Sequence, residues 1–470
     1  MKILNRTTYK ATTQRPIKVL QFGEGNFLRG FVDWIIEIFN EKTDFNGDIQ
    51  IVQPIQTGLG DLINEQDGLY HVLIEGLQNG EKVQYTKLIS CVRGAINPFE
   101  DYKAFLKLGK NKDLEFIVSN TTEAGIIFDP NDKSFETLPL TFPGKLTALL
   151  YYRFLHFKDV QSKPLTILPC ELIDRNGDKL KSAILKYIEL WELPEGFTIW
   201  LENRIVFCNT LVDRIVPGFP HDTIEQIQKK IGYKDNLVVK TEPFHLWVIE
   251  SPKSIENQFP AKEAELSIKF VSDLTPYRTR KVRILNGAHT AMVPVGYLSG
   301  MQTVKETLEH LKTAPFVNEV IFDEIIPTLD LPEEELILFA NSVIERFKNP
   351  FVKHQLISIA LNSISKFKVR VLPSLLKYIE LNQKLPKNLV RSLAYLILFY
   401  RGKNFENQDI PLQDDQNILS FFSEVWQHKD LDITIQKVLE NEMLWGKNLS
   451  EIPTLKDEII KEINIYHNHN

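Results

Sequence analysis

Residues 17–42, IKVLQFGEGNFLRGFVDWIIEIFNEK, run an apolar segment straight into a Gly-x-Gly turn and then into a stretch with helical apolar spacing. The order of these pieces constrains the fold more than any other feature of the chain. A strand that turns at once into an amphipathic helix predicts the first βα unit of a mainly parallel sheet, with the helix lying on the sheet face. Gly23 can take the positive φ of such a turn, and Gly25 puts no side chain between a ligand and the backbone N–H groups at the helix start. A dinucleotide pyrophosphate suits that arrangement. An ordinary strand-to-helix turn competes with it, because the third glycine of GxGxxG is replaced by Leu28, with Arg29 and Gly30 following. Arg29 favours the ligand reading, since a guanidinium near a helix N-terminus can bond phosphate oxygens. The candidate cofactor residues here are Val19, Leu20, Gln21, Phe22, Gly23, Glu24, Gly25, Asn26, Phe27, Leu28, Arg29 and Gly30.

Further strand-like runs follow: DIQIVQ at 48–53, EFIVSN at 115–120 and LTILPCELI at 165–173, separated by amphipathic stretches. From about Thr275 long helical patterns take over, as in SLLKYIELNQKLPKNLVRSLAYLILFYRG. The chain of 470 residues is too long for one ordinary core. We therefore expect an α/β domain over 1–270 with a parallel sheet and a mostly α-helical domain over 271–470. At the end of the second strand an NAD site would carry a ribose-binding acid, yet Gln53 stands there, and Asp61 is the nearest acid. No Arg or Lys lies between Gln53 and Gly58 to hold a 2′-phosphate, so these residues leave NAD against NADP open. After the third strand, SNTTEAG offers Asn120, Thr121, Thr122 and Glu123 to a nicotinamide or ribose. A capped helix start is the alternative for the same letters.

Composition narrows the function classes. A formal net charge of −6 without a dense Lys/Arg block gives no footprint for nucleic acid. Nowhere do eighteen apolar residues run together, and MKILNRTTYKATTQRPIKVL has no secretory pattern, so neither membrane insertion nor export is expected. Cys91, Cys170 and Cys208 form no CxxC pair, which fits a reducing cytoplasm and gives no thiolate zinc site. No metal site is expected elsewhere either, and the terminal YHNHN reads as a solvated tail.

The segment TPYRTRKVRILNGAHTAMVPV, beginning at Thr275, sets Lys281, Asn286 and His289 into apolar surroundings. Thr275 as N-cap and Pro276 at the first helical position predict a helix. At roughly 100° per residue the three polar groups project at about 0°, 140° and 80°, on one side of the cylinder. Singly, each has a bland account: a snorkelling lysine, an amide bonded to a carbonyl, a satisfied core histidine. Together, in a chain with a nucleotide-type loop, they read as a catalytic set, with a partly desolvated Lys281 able to exchange a proton near neutral pH.

The pattern Lys-x4-Asn-x2-His, with Gly-x-Gly-x-Phe-x-Arg near the N-terminus and LVDRIVP at 211–217, resembles the polyol-specific long-chain dehydrogenase/reductase family, the mannitol dehydrogenase family. The blocks QFGEGNFLRGFVDW, SNTTEAGI, PCELIDRNGD, CNTLVDRIVPG, RKVRILNGAHTAMVPV and FKNPFVKHQLISIALNSISKF are most similar to members that interconvert tagaturonate and altronate. The resemblance implies a Rossmann-type domain followed by a helical one, and metal-independent hydride transfer between NAD and a small sugar acid or polyol. It also implies Lys281 as general acid/base, with Asn286 and His289 bonding the reacting oxygen. Many members carry an asparagine in the segment matching CELIDRNG where this chain has Leu172, which leaves a second amide donor in question. A carboxylate substrate needs a cation, and Arg214, Lys353, His354 and Lys366 are candidates, with Asp213 beside the first. Fructuronate reduction or mannitol oxidation would use the same catalytic set, and a non-enzymatic NAD(H) sensor would need none of it.

Overall fold

The computed structural model describes residues 1–10, 13–121, 125–157, 163–252 and 254–469. In chain order its strands are β1 Ile17–Phe22, β2 Asp48–Val52, β3 Tyr70–Gln78, β4 Glu81–Ile89, β5 Val92–Ile96, β6 Phe116–Ser119, β7 Leu165–Pro169, β8 Ile205–Phe207, β9 Asn209–Asp213, β10 Val239–Thr241, β11 Leu246–Glu250 and β12 Ile268–Val271. The chain divides into two compact units, Met1–Glu75 with Lys82–Leu274, and Gly76–Glu81 with Thr275–Asn470.

The first unit is organised by a six-stranded sheet in the order β5-β2-β1-β6-β7-β8, parallel throughout. Counted within the sheet this is 3-2-1-4-5-6, the order of a Rossmann sheet, whose winding reverses between β1 and β6. Ligands bind past the carboxyl ends of the strands at that reversal, where the glycine turn and Asn120 lie. Every residue of β2, β6 and β7 is buried, as strands covered on both faces must be. Successive residues serve opposite faces. Val19, Ile51 and Phe116 join a core with Ile35 and Phe39 of helix Val32–Lys42 and with Phe31 just before it. Leu20, Val52 and Ile117 join another with Leu146 and Leu149 of helix Phe142–Phe157 and Ile184 of helix Asn176–Leu190. Two smaller sheets, β10-β3-β4 and β12-β11-β9, complete the strands, and LVDRIVP begins in β9.

The second unit is helical apart from the hairpin tip 76–81, which it gains because Gly80 N–H donates to Glu345 Oε1 at 2.6 Å. Helix Gly287–Leu298 is buried nearly all round, the mark of a helix at the centre of its unit. Helix Lys387–Phe399 packs beside it, with Ser392 Oγ donating to the Ala291 carbonyl at 3.0 Å. One expectation is corrected in part here: His467 and Asn468 are exposed, but they form no irregular tail, because helix Leu455–His469 runs through them. Tyr466 is buried and sets its ring edge-on to Tyr395 at 5.5 Å. Among the described residues no helix is long and apolar enough to cross a membrane.

Candidate functional site

The glycine turn has the shape a pyrophosphate needs. Gly23 holds φ +122°, and a Cβ there would stand 3.0 Å from the Asn120 carbonyl oxygen, so only glycine fits. Gly25 caps helix Asn26–Gly30, is exposed, and a Cβ on it would meet nothing within 4 Å. The space in front of the first helical N–H groups is therefore open, a cradle that a side chain at 25 would fill. Leu28 is 1% exposed and belongs to the core, while a Cβ on Gly30 would sit 3.0 Å from Val239 Cγ1. Gly30 thus does the close packing expected of the missing third glycine, two positions late. Val19, Leu20 and Phe22 are core residues beneath the turn, and Gln21 Nε2 donates to the Gly23 carbonyl at 3.1 Å. Phe27 stacks on Phe31.

The charged residues around the turn brace it. Arg29 is buried and donates from Nε to the Glu24 carbonyl at 3.0 Å, from Nη1 to the Leu237 carbonyl at 2.5 Å and from Nη2 to Asn26 Oδ1 at 2.8 Å. It holds the loop's backbone, where the sequence suggested a phosphate partner. Arg214 acts from behind: Nη1 donates to the Gly30 carbonyl at 2.8 Å, Nε to the Glu242 carbonyl at 3.0 Å, and the guanidinium lies 4.2 Å over the Trp34 ring. Burial pushes its pKa down to about 10. A Cβ on Gly218 would come within 2.5 Å of Asn26 Nδ2. The LVDRIVPG stretch is therefore a buttress for the glycine loop, and neither the buried Asp213 nor Arg214 is placed as a free substrate contact.

At the end of β2, Gln53 is turned into its own loop, donating to the Ile55 and Gln56 carbonyls at 2.9 and 3.0 Å and accepting from Gly60 N–H at 3.0 Å. Glu24 lies against the same loop, where a Cβ on Gly58 would collide with its Oε1. Burial raises the Glu24 pKa, and its Oε2 is enclosed without a hydrogen-bond partner. Asp61 is exposed. At the end of β6, Asn120 Nδ2 donates to the Cys170 carbonyl at 3.1 Å, and Thr121 donates from N–H and Oγ1 to Glu171 Oε1 at 3.0 Å each. Thr122 and Glu123 lie outside the described residues. Glu171 also accepts from Ser119 Oγ at 3.1 Å, so this buried carboxylate, overlooked in the sequence, fixes the loop. Its signal was a lone acid at the end of an apolar strand. Leu172 beside it is 61% exposed, an apolar group at the strand end that donates no hydrogen bond.

In the second unit the Thr275–Arg280 helix passes into a π-helical turn, Lys281–Asn286, and then into Gly287–Leu298. An i→i+5 turn takes up an extra residue, so Asn286 lies closer in angle to Lys281 than the roughly 140° of unbroken α pitch. Such turns recur at functional sites. Arg280, just ahead of Lys281, is 3% exposed, donates to Glu335 Oε1 at 2.8 Å and lies 4.3 Å over the Phe339 ring, which anchors the turn. Lys281 and Asn286 are half-buried. His289 is also half-buried; its ring stacks on Phe347 at 4.1 Å and meets His354 edge-on at 5.0 Å, and its Nε2 is enclosed without a partner. Burial, then the neighbouring His354 and the guanidiniums of Arg346 and Arg370, hold the His289 pKa well below its ordinary value, so the ring is neutral. Burial lowers His354 likewise. Lys353 is exposed, and Lys366 Nζ donates to the Ile359 carbonyl at 2.9 Å. Among the described residues no three His, Cys, Asp or Glu side chains are grouped to hold a metal ion.

Comparison with known proteins follows these two units. Residues 17–263 match the mannitol dehydrogenase Rossmann domain and residues 273–466 the mannitol dehydrogenase C-terminal domain. The chain is 49% identical over 469 residues to an altronate oxidoreductase of Bacillus subtilis (strain 168), covering 99% of this chain and 96% of that one. It is 44% identical to an altronate oxidoreductase of Yersinia enterocolitica, covering 98% and 97%. A solved D-sorbitol dehydrogenase, substrate-free, superposes with a TM-score of 0.83 at 22% identity, covering 99% of this chain and 98% of that one. The Pseudomonas fluorescens mannitol 2-dehydrogenase ternary complex with NAD and D-mannitol gives 0.68 at 18%, covering 100% and 99%. These two likenesses establish the fold.

Proposed function

The chain belongs to the mannitol dehydrogenase family and is an oxidoreductase, and from that premise we propose that it reduces D-tagaturonate to D-altronate, reversibly, with NAD(H). The observation that carries the reading is the polar set on one helix: Lys281 and Asn286 at the two ends of a π-helical turn, and His289 beyond it with an unpartnered Nε2. Near-full-length identity to altronate oxidoreductases supports the substrate. The NAD named in the mannitol 2-dehydrogenase complex supports the cofactor. The backbone of Gly23–Asn26 would hold the pyrophosphate in the open space before Gly25, with Asn120 and Thr121 at the neighbouring strand end.

A dinucleotide held by the Gly23–Asn26 backbone would supply, as NADH, the hydride for the ketone carbon. Lys281 gives its proton to the ketone oxygen as charge develops there, and takes it back when the alcohol is oxidised. Asn286 donates a side-chain N–H to the same oxygen. His289, neutral, donates from Nε2 in the tautomer that carries hydrogen there, so it stabilises the alkoxide without competing with Lys281 for the proton. No metal enters this scheme, since an ammonium and two neutral donors supply the electrostatic stabilisation. The three buried free thiols suit the reducing cytoplasm that the sequence suggests.

The test is NADH oxidation with tagaturonate, fructuronate and fructose side by side. Tagaturonate should give the highest kcat/KM; a higher value for either of the others would replace this substrate with that one.

A further inference from the structure

We infer that Arg370 binds the substrate carboxylate and sets the preference for a sugar acid over a neutral sugar. The inference rests on the proposed function and concerns a contact that function leaves unassigned. A six-carbon acid is short, so the group that takes its carboxylate must stand close to the groups that bond its reacting oxygen. Arg370 closes the helix Ser363–Arg370 and is half-buried. Among the described residues its side chain makes one long hydrogen bond, Nη1 to Thr290 Oγ1 at 3.4 Å. Thr290 follows His289 directly and donates from Oγ1 to the Asn286 carbonyl at 2.9 Å. The guanidinium is thus tied, through one hydroxyl, to the stretch that carries both proposed oxyanion donors. Its charge is one of those that depress the His289 pKa. The approach is close because residue 287 is glycine: a Cβ there would stand 3.2 Å from the Arg370 carbonyl oxygen.

What singles out Arg370 is how little of it is used. Elsewhere in this unit the buried Arg280 pairs with Glu335 at 2.8 Å and the half-buried Arg391 with Glu462 at 2.7 Å, while Arg283, also without a carboxylate, commits its Nη1 to the Val369 carbonyl. Among the described residues no carboxylate bonds Arg370, and burial lowers its pKa without an acid to offset it. A desolvated cation without a counter-ion is costly, and its planar fork matches a carboxylate through two parallel N–H···O bonds. The other cations considered serve less well. Lys366 has its ammonium on a backbone carbonyl, and burial, then the neighbouring Arg370, lower its pKa with Asp414 opposing them. Lys353 is exposed, and His354, lowered by burial, is neutral.

The experiment compares wild type with Arg370→Gln and Arg370→Lys, on D-tagaturonate and on D-tagatose, the neutral ketose of matching configuration. Altronate binding is measured by calorimetry on the enzyme with NADH bound. Arg370→Gln should weaken altronate binding and raise KM for tagaturonate by about 10²-fold, the usual cost of removing one partner of a charged pair. Its NADH affinity should stay unchanged and its kcat/KM on tagatose should fall far less than on tagaturonate, so the preference for acid over neutral sugar collapses. Arg370→Lys should recover part of the loss, keeping the charge but not the fork. An Arg370→Gln enzyme that keeps wild-type altronate affinity overturns the inference. So does an equal loss on both sugars, or, if Arg370→Gln does not fold, wild-type affinity in Arg370→Lys. A wild-type enzyme that neither binds altronate nor reduces tagaturonate fails differently: it removes the proposed substrate itself.

Discussion

The glycine loop of the first unit and the Lys281–Leu298 helix of the second are both polar segments set among apolar residues, and they treat their polar groups in opposite ways. Around the loop, Arg29, Arg214, Gln53 and Glu171 direct most of their hydrogen bonds to the protein's own backbone or to neighbouring loop residues, with Glu24 Oε2 and Arg214 Nη2 enclosed without partners, and what stays open to a ligand is the space before Gly25. At the helix, side chains remain underused: His289 Nε2 is enclosed without a partner, and Arg370 of the neighbouring helix Ser363–Arg370 has one long bond. A pyrophosphate is the same in every reaction, so fixed backbone geometry suffices to hold it. A substrate and its moving proton require side chains whose bonds complete only on binding.

The comparison breaks first, and by the largest margin, at Lys281. Lys281→Ala should lower kcat by about 10² to 10⁴, the worth of a positioned acid/base, while NADH affinity by fluorescence titration stays at the wild-type value. In wild type the alcohol-oxidation rate should rise with pH as the Lys281 ammonium gives up its proton, and that dependence should vanish in the variant. Wild-type turnover in a folded Lys281→Ala protein would return Lys281 to the surface of an ordinary helix.

The loop should respond to backbone crowding and little to charge. Gly25→Val places carbon in space that no protein atom occupies, so NADH affinity should fall at least about 10-fold with the melting temperature unchanged. Gly30→Ala puts its Cβ 3.0 Å from Val239 Cγ1 and should do the reverse, costing on the order of 1–3 kcal/mol of stability by overpacking. Were Gly25→Val to bind NADH like wild type, the open space would not be the pyrophosphate cradle. NADH should also be preferred to NADPH, since no cation lies between Gln53 and Gly58 to meet a 2′-phosphate; equal kcat/KM for the two would contradict this.

Much of the first region could be read from the sequence because a strand, a glycine turn and a helix are adjacent in the chain, and local sterics decide them. The brace could not: Arg29 bonds Leu237, and Arg214 bonds Gly30, across gaps that no local pattern spans. For the same reason the hairpin tip at 76–81 belongs to the second unit through Glu345, which no boundary drawn at one point of the chain can express. In the second region the spacing allowed the three polar residues to be proposed as a set, but the π-helical turn that carries Lys281 and Asn286 could not be read, because one residue taken up in a turn leaves no mark in the letters. Arg370 was passed over because it reads as the basic end of an amphipathic helix, and only the position of Thr290 shows what it faces.

The smallest predicted effect sharpens the contrast by treating the underused histidine as a matter of stability. His289 is held neutral in the folded chain, its pKa far below the ordinary 6.5, whereas in the unfolded chain it titrates near that value. Between those two values the unfolded state binds the extra proton, so acidification favours unfolding; the contribution is complete above the unfolded pKa and is lost progressively as pH falls below it. Its own share between pH 7 and 5.5 is about 1 kcal/mol, one unit of titration. His289→Asn should therefore flatten the decline of denaturant-derived stability over that interval by about that amount. Some slope will remain, because burial also lowers His354, and holds His245 at about 4. If the wild-type and variant slopes coincide, His289 is protonated in the folded protein as readily as in water. It would then be a second titrating acid next to Lys281, and the assignment of the transferred proton to Lys281 alone would have to be given up.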